Sequence, residues 1–421
     1  MYPRKEFTMK ITPVKGTSDY LPSEVLIRDY LQNTILDTYR SCGFERITTP
    51  IIEDIENLDK SEGGENLNLI FKIMKRGEKL AEAIGSGDEK EIADMGLRYD
   101  LTLPLTRYYA NNRAKLPSPF KVIQIDKVYR AERPQKGRMR EFVQCDIDII
   151  GSDSYTAEVE LITTTAKALL NIGFDNFKIR VNDRRLLKAI IMGAGFEETD
   201  CDSVCISLDK LDKIDASGVR DELIAKEFSE EAVAKLMTVL ERQPFTLADA
   251  REVCGELDCI TNLDTIMSLA NEMSDGRYSI EYDMTLVRGQ GYYTGTVFEI
   301  SSPEFRGAIG GGGRYDNLIG KFLGESIPAV GFSIGFERIA GILLAKEYKI
   351  PTQRPRLAVV YWEDNFKEAL RRAEELRADY DVTLSAAPKK LGKLFSQLEA
   401  NGYAGCAVMG QEELKMFGEN K

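Results

Sequence analysis

Apolar residues recur at helical spacing between Ser23 and Cys42, at Leu26, Tyr30, Leu31, Ile35 and Tyr39, and Gly43 follows where a left-handed cap ends a helix. The stretch from Phe44 to Ile51 then reads as a strand. Pro50 has no N–H to give to a ladder, which places that strand at an edge or an interface. Residues 72–95 are charged and interrupted by glycine, the pattern of an exposed excursion. Strand-like runs return at 120–125, 140–150, 177–181, 278–287 and 296–300. Short strands outnumber the helices between them, which predicts an α+β fold with an antiparallel sheet and flanking helices. Residues 192–271 differ, being acidic and helix-patterned, and read as an insertion between two parts of one domain, 1–191 and 272–350. After a stiff linker, Pro351 to Pro355, residues 356–421 alternate strand, helix, strand, helix, strand and predict a small C-terminal α/β domain.

Composition narrows the chemistry. The 421 residues carry a formal charge of −12, so any polyanion must be met by a local basic patch. There is no histidine at all, which excludes Ser-His-Asp and Cys-His nucleophiles, imidazole bases and every zinc site that uses histidine. The seven cysteines are scattered and odd in number, so they form no disulfide framework and fit a reducing cytoplasm. Cys201, Cys205, Cys254 and Cys259 could be drawn as a thiolate metal site, but their spacing is looser than a metal knuckle and favours ordinary thiols. Residues before Met9 look like a tail, and no apolar run has the length of a signal peptide or a membrane span.

Four segments concentrate reactive side chains. From Tyr129 to Gln144, five cations fall within eleven residues, at Arg130, Arg133, Lys136, Arg138 and Arg140. Two strands joined by that turn would aim Arg130 and Phe142 into one cleft, guanidinium for phosphate oxygens and a ring for a base face. A solvated hairpin would explain the same charges. From Thr285 to Glu299, glycines surround Arg288, Tyr292 and Tyr293, where a plain hairpin turn is the competing account. Gly310 to Gly313 precede Arg314-Tyr315-Asp316, four glycines between a strand and a helical pattern, as where backbone meets a ligand or another chain. This is not a Walker loop, since the Lys-Ser/Thr pair is missing. Gly331 to Arg338 is a small-residue strand that runs into a helix start and presents Arg338.

Taken together, these segments resemble the class II aminoacyl-tRNA synthetases, and within them the histidyl-tRNA synthetase family. Further matches are Gly16 to Pro22, Gly43 to Pro50 as the dimer-forming first motif, Leu97 to Thr102, and Leu208 to Ile214. The resemblance implies a six-stranded antiparallel catalytic sheet, a helical insertion, an anticodon-binding domain at 356–421 and a homodimer. It implies that histidine attacks the α-phosphorus of ATP and that the acyl group then passes to tRNA(His). Arg130 and Arg288 become the catalytic arginines on the α-phosphate, with Arg288 also counted among the histidine contacts. Phe142 and Arg338 would sandwich adenine, Glu132 would meet its amino edge, and Arg138 would reach the γ-phosphate. Asp100, Thr102 and Gln144 would take the α-ammonium, Asp148, Tyr292 and Tyr293 the imidazole, and Tyr315 would close the pocket. Mg²⁺ is expected with ATP, through Glu299.

A triphosphate displacement needs positioning and charge neutralisation more than a proton shuttle, so the missing histidines cost it nothing. The sequence departs from the family at three places. Gln290-Gly291 replaces the more frequent Leu-Asp, Asp100 and Asp148 stand where a longer Glu is common, and the C-terminal domain is short, with ten cations against eleven anions from Arg356 onward. A second reading is a non-catalytic relative, the regulatory subunit of ATP phosphoribosyltransferase; such a protein should lack the anticodon domain and tolerate loss of the arginines. A third is a binding protein that senses uncharged tRNA, which would need a far more basic C-terminal surface.

Overall fold

The computed structural model describes residues 10–59, 69–134, 138–242, 244–287, 292–351 and 353–418. The chain folds as two compact units, Met1–Glu347 and Tyr348–Lys421.

The first unit is built on strands β1 (Glu45–Arg46), β2 (Ile52–Asp54), β3 (Lys72–Met74), β4 (Ala93–Leu97), β5 (Phe120–Tyr129), β6 (Glu141–Ile150), β7 (Lys178–Asp183), β8 (Ser279–Tyr282), β9 (Thr296–Ser302), β10 (Phe305–Arg314) and β11 (Ala329–Ile334). Eight of them form one sheet in the order β1-β5-β6-β11-β10-β9-β7-β8. The six inner strands are antiparallel throughout, and β1 and β8 add a parallel strand at each end. The longest pairing joins β5 to β6, in register from Phe120 opposite Ile150 to Tyr129 opposite Glu141.

Alternation along β6 decides where the core and the cleft lie. Cys145, Ile147 and Ile149 are buried and apolar. Phe142, Gln144, Asp146 and Asp148, two residues apart, share the other face, because successive side chains of a strand point to opposite sides. Helix α1 (Pro22–Ser41) buries Ile27, Leu31, Ile35 and Tyr39, and it packs against the Thr156–Ile172 helix. Proline at its first turn and Glu24 reaching back to the Leu21 N–H at 2.7 Å fix its start. Five further helices, from Cys201–Leu208 to Asp258–Glu272, fill most of the acidic stretch read as an insertion, and the last of them packs on the Thr156–Ile172 helix and β7.

The structure refines four expectations. Pro50 splits the strand expected over residues 44–51, leaving the two-residue β1 and the separate β2. The excursion at 72–95 contains β3, a Glu78–Ser86 helix and the start of β4, in a three-stranded sheet with β2. The strand expected over 278–287 ends at Tyr282, where the Asp283 carboxylate accepts the Thr285 N–H and hydroxyl and turns the chain. The four glycines lie inside β10 rather than after it: a Cβ on Gly312 would run into the Gly331 carbonyl of β11, so close approach of the strands, not turn geometry, selects glycine.

The second unit has a four-stranded sheet of β12 (Arg356–Tyr361), β13 (Asp381–Ala386), β14 (Gly405–Val408) and β15 (Leu414–Met416), ordered β13-β12-β14-β15, with only the last pairing antiparallel. Leu357 and Val359 pack under Ala369, Ala373 and Leu376 of one helix, while Ala358 and Val360 pack with Leu398 of another. Alternate residues of one short strand thus serve two small cores.

Candidate active site

A cavity of about 1230 Å³ opens on the face of the sheet that carries Phe142 to Asp148. Of the residues singled out from sequence, Thr102, Arg130, Glu132, Arg138, Phe142, Gln144, Asp148, Tyr292, Tyr293, Tyr315 and Arg338 all line it. Five separate stretches of chain therefore converge there.

Cations and rings gather at one end. Arg130 closes β5; its Nε donates to the Tyr99 carbonyl at 3.0 Å, and its guanidinium lies 5.0 Å from the centre of the Phe142 ring. Arg138 pairs with Glu132 at 3.0 Å across the turn. Arg338, in the first turn of the Phe336–Ala345 helix, sits 5.4 Å over the Phe305 ring and donates to the Ala308 carbonyl. Beside it, Glu337 accepts both terminal nitrogens of Arg28 at 2.7 and 2.8 Å and the Val143 N–H at 3.0 Å. That carboxylate ties α1, β6 and the helix start together. Arg28 is also stacked 4.0 Å over Tyr20, another cavity residue.

Carboxylates and tyrosines occupy the other end. The Tyr315 hydroxyl donates to Asp148 Oδ1 at 2.6 Å, and the Tyr292 and Tyr293 rings lie 4.4 Å apart with their hydroxyls at 3.3 Å. Glycine makes the room: a Cβ on Gly331 would occupy the place of Asp148 Oδ1, and one on Gly313 would meet the Tyr293 ring at 3.0 Å. Asp100 is not among the lining residues. It stands beside Thr102, where Asp100 Oδ1 accepts the Leu103 N–H at 3.2 Å.

Burial governs the charge state of these acids. It pushes Asp148 up to about 7, with nearby Asp100 adding to the rise and the Tyr315 hydrogen bond opposing it. Burial likewise raises Asp100 to about 6 against the pull of the Leu103 N–H and Arg130. Asp146 is raised well above the usual carboxylate range by burial and then by Asp148. A cation entering here would restore their ionised forms.

Glu299 is placed elsewhere, and Arg288 is not described. Glu299 does not line this cavity; the Arg180 guanidinium holds it, together with Asp283 at 2.8 Å, beside a separate space of about 70 Å³. Arg288, with Gly289 to Gly291, lies outside the described residues. Among the described residues no group of three or more carboxylates or thiols could hold a metal ion, and the cysteines are free. Sequence reasoning missed Asp146, Arg28 and Glu337. The first was signalled by the two-residue period that also marks Gln144 and Asp148; the other two belong to a contact across 309 residues that has no local pattern.

An antiparallel sheet whose exposed face offers guanidinium groups at one end and acids with tyrosines at the other has the architecture of a class II aminoacyl-tRNA synthetase. The family model for histidyl-tRNA synthetase matches residues 16–339. The histidine–tRNA ligase of Leifsonia xyli is 45% identical over 348 residues, covering 79% of this chain and 80% of that protein. That of Cytophaga hutchinsonii is 34% identical over 95% of this chain and 92% of its own. Among solved structures, the histidyl-tRNA synthetase from Nostoc sp. PCC 7120 superposes with a TM-score of 0.81 at 27% identity, covering 96% of this chain and 93% of that one. The chain belongs to the histidyl-tRNA synthetase family.

Proposed function

We propose that this protein is a histidine–tRNA ligase that makes histidyl-adenylate from histidine and ATP and passes the histidyl group to tRNA(His). The observation that carries this reading is the single cavity shared by Arg130, Phe142 and Arg338 at one end and Gln144, Asp148 and Tyr315 at the other. ATP would lie with adenine between Phe142 and Arg338, its α-phosphate on Arg130 and Arg288 and its γ-phosphate on Arg138. Glu132, paired with Arg138 in the ligand-free site, would turn to the adenine amino group. Histidine would place its ammonium on Asp100, Thr102 and Gln144 and its ring on Asp148, Tyr292 and Tyr293. Its carboxylate oxygen then attacks the α-phosphorus and pyrophosphate leaves. Fixed guanidinium charge stabilises the developing negative charge, and no side chain needs to shuttle a proton.

Mg²⁺ would enter on the phosphates. Glu299 does not fit as its ligand, because Arg180 already occupies that carboxylate, so no step here depends on the metal. Dimerisation through residues 43–50, a helical insertion at 192–271 and anticodon binding by residues 356–421 are part of the same proposal. Retention of Arg130, Arg288 and Arg338 favours the enzyme over a regulatory relative.

Pyrophosphate exchange measured with each of the twenty amino acids tests the reading. Exchange should require histidine; binding of histidine and ATP with no exchange would defeat it. Arg288→Ala should abolish exchange while leaving the oligomeric state unchanged, since its role is charge stabilisation rather than folding, and near-normal exchange would remove that role.

A further inference from the structure

Resting on the reading above, we infer that Asp146 is a substrate contact: its Oδ1 accepts a hydrogen bond from the α-ammonium of the bound amino acid, completing a three-acceptor cradle with Asp100 and Gln144.

The argument starts from hydrogen-bond satisfaction. Asp146 is 5% exposed and hydrogen-bonds Ser333, yet among the described residues its Oδ1 has no hydrogen-bond partner, and the same holds for the buried Oε1 of Gln144. Both side chains line the cavity. A buried acceptor left unpaired is unfavourable, so two in one cavity point to a ligand group that donates. Both stand on the same face of β6, two residues and about 7 Å apart along the strand, a span that one bound group can bridge with side chains converging on it. A primary ammonium offers three N–H donors and no acceptor, which matches two orphaned oxygens and a third carboxylate.

Position selects the ammonium rather than the ring. Asp146 lies between Gln144, at the ammonium end, and Asp148, which already receives the Tyr315 hydroxyl. The charge of Arg130 reaches Asp146 and Asp100, so these two acids share surroundings close to the nucleotide end. Crowding of carboxylates without a bound cation is unfavourable, and an ammonium among them turns that repulsion into attraction.

Replacing Asp146 therefore has opposite effects on folding and on binding. Asp146→Asn should raise the KM for histidine in pyrophosphate exchange about tenfold or more, leave the KM for ATP within twofold, and keep or raise the melting temperature of the ligand-free protein. Asp146→Ala should weaken histidine at least as much. With saturating ¹⁵N-histidine, the ring nitrogen shifts of the bound ligand should match those in the wild type; they are read without background because the chain contains no histidine. A histidine KM within twofold of wild type in both variants overturns the proposal. So does a fall in melting temperature with both KM values raised, the mark of a structural role, or displaced ring signals, which would put Asp146 on the imidazole. Wild-type protein that shows no histidine-dependent exchange would instead overturn the enzymatic reading on which the proposal stands.

Discussion

At the scale of single residues, the amino-acid end of the cavity sets stability against function. Asp148 has an ordinary pKa in the unfolded chain and one of about 7 in the fold, so the folded state prefers the protonated acid. Its contribution to stability is fully present below about pH 4, and is lost as pH rises through 7. Asp148→Asn, which cannot ionise, should melt at a higher temperature than the wild type at pH 8, with the gap closing by pH 4, while its histidine KM rises. Parallel melting curves at both pH values would show that Asp148 carries no such linkage. Much of this placement was legible in the sequence: Arg130, Phe142, Gln144, Asp148, Tyr315 and Arg338 all line one cavity. Asp146 shares the two-residue period of Gln144 and Asp148, and that signal was passed over because an acid between Cys145 and Ile147 reads as part of a strand until both strand faces are placed. Glu299 was misplaced toward the nucleotide because its pairing with Arg180, 119 residues away, leaves no trace in local pattern.

At the scale of elements, glycine decides how closely strands can approach. Gly310 to Gly313 lie in the C-terminal half of β10, and Gly312 leaves no space for a methyl group beside the Gly331 carbonyl. Gly312→Ala should push β10 from β11, cost about 1–3 kcal/mol as overpacking does, and lower the melting temperature and the exchange rate together. An unchanged melting curve would mean that the strand pair can open at no cost. Helix α1, the β5–β6 hairpin and the alternating C-terminal unit were readable because each follows a local period of 3.6 or 2. The glycine run was not, because its reason is a neighbouring strand rather than its own dihedral angles. Tyr282 ends β8 earlier than periodicity suggested because the Asp283 side chain offers the backbone a competing partner.

At the scale of the whole molecule, every residue of the described cavity lies before Glu347, within the first compact unit. A chain ending at residue 347 should keep histidine-dependent pyrophosphate exchange within a fewfold of the full-length protein and lose most aminoacylation of tRNA(His). Equal loss of both would mean that residues 348–421 support the first step as well. The net charge of −12 and a near-neutral C-terminal segment, ten cations against eleven anions from Arg356 onward, leave a polyanion little long-range attraction, so steering must come from local patches such as the basic run from Arg130 to Arg140. That balance could be counted directly from composition. Which unit holds the whole cavity could not, because that depends on which side chains meet in space.

In the proposed binding mode, the buried acids of the cavity also act as a small proton reservoir. Near neutrality Asp148 is part protonated and Asp100 less so, and a docking ammonium would drive both toward the anion, expelling protons into solution. Binding heats should then vary with the ionisation enthalpy of the buffer, and the slope should change in Asp148→Asn. Identical slopes for the two proteins would mean that Asp148 releases nothing. The enzyme would thus couple amino-acid capture to the acidity of its surroundings without an imidazole of its own.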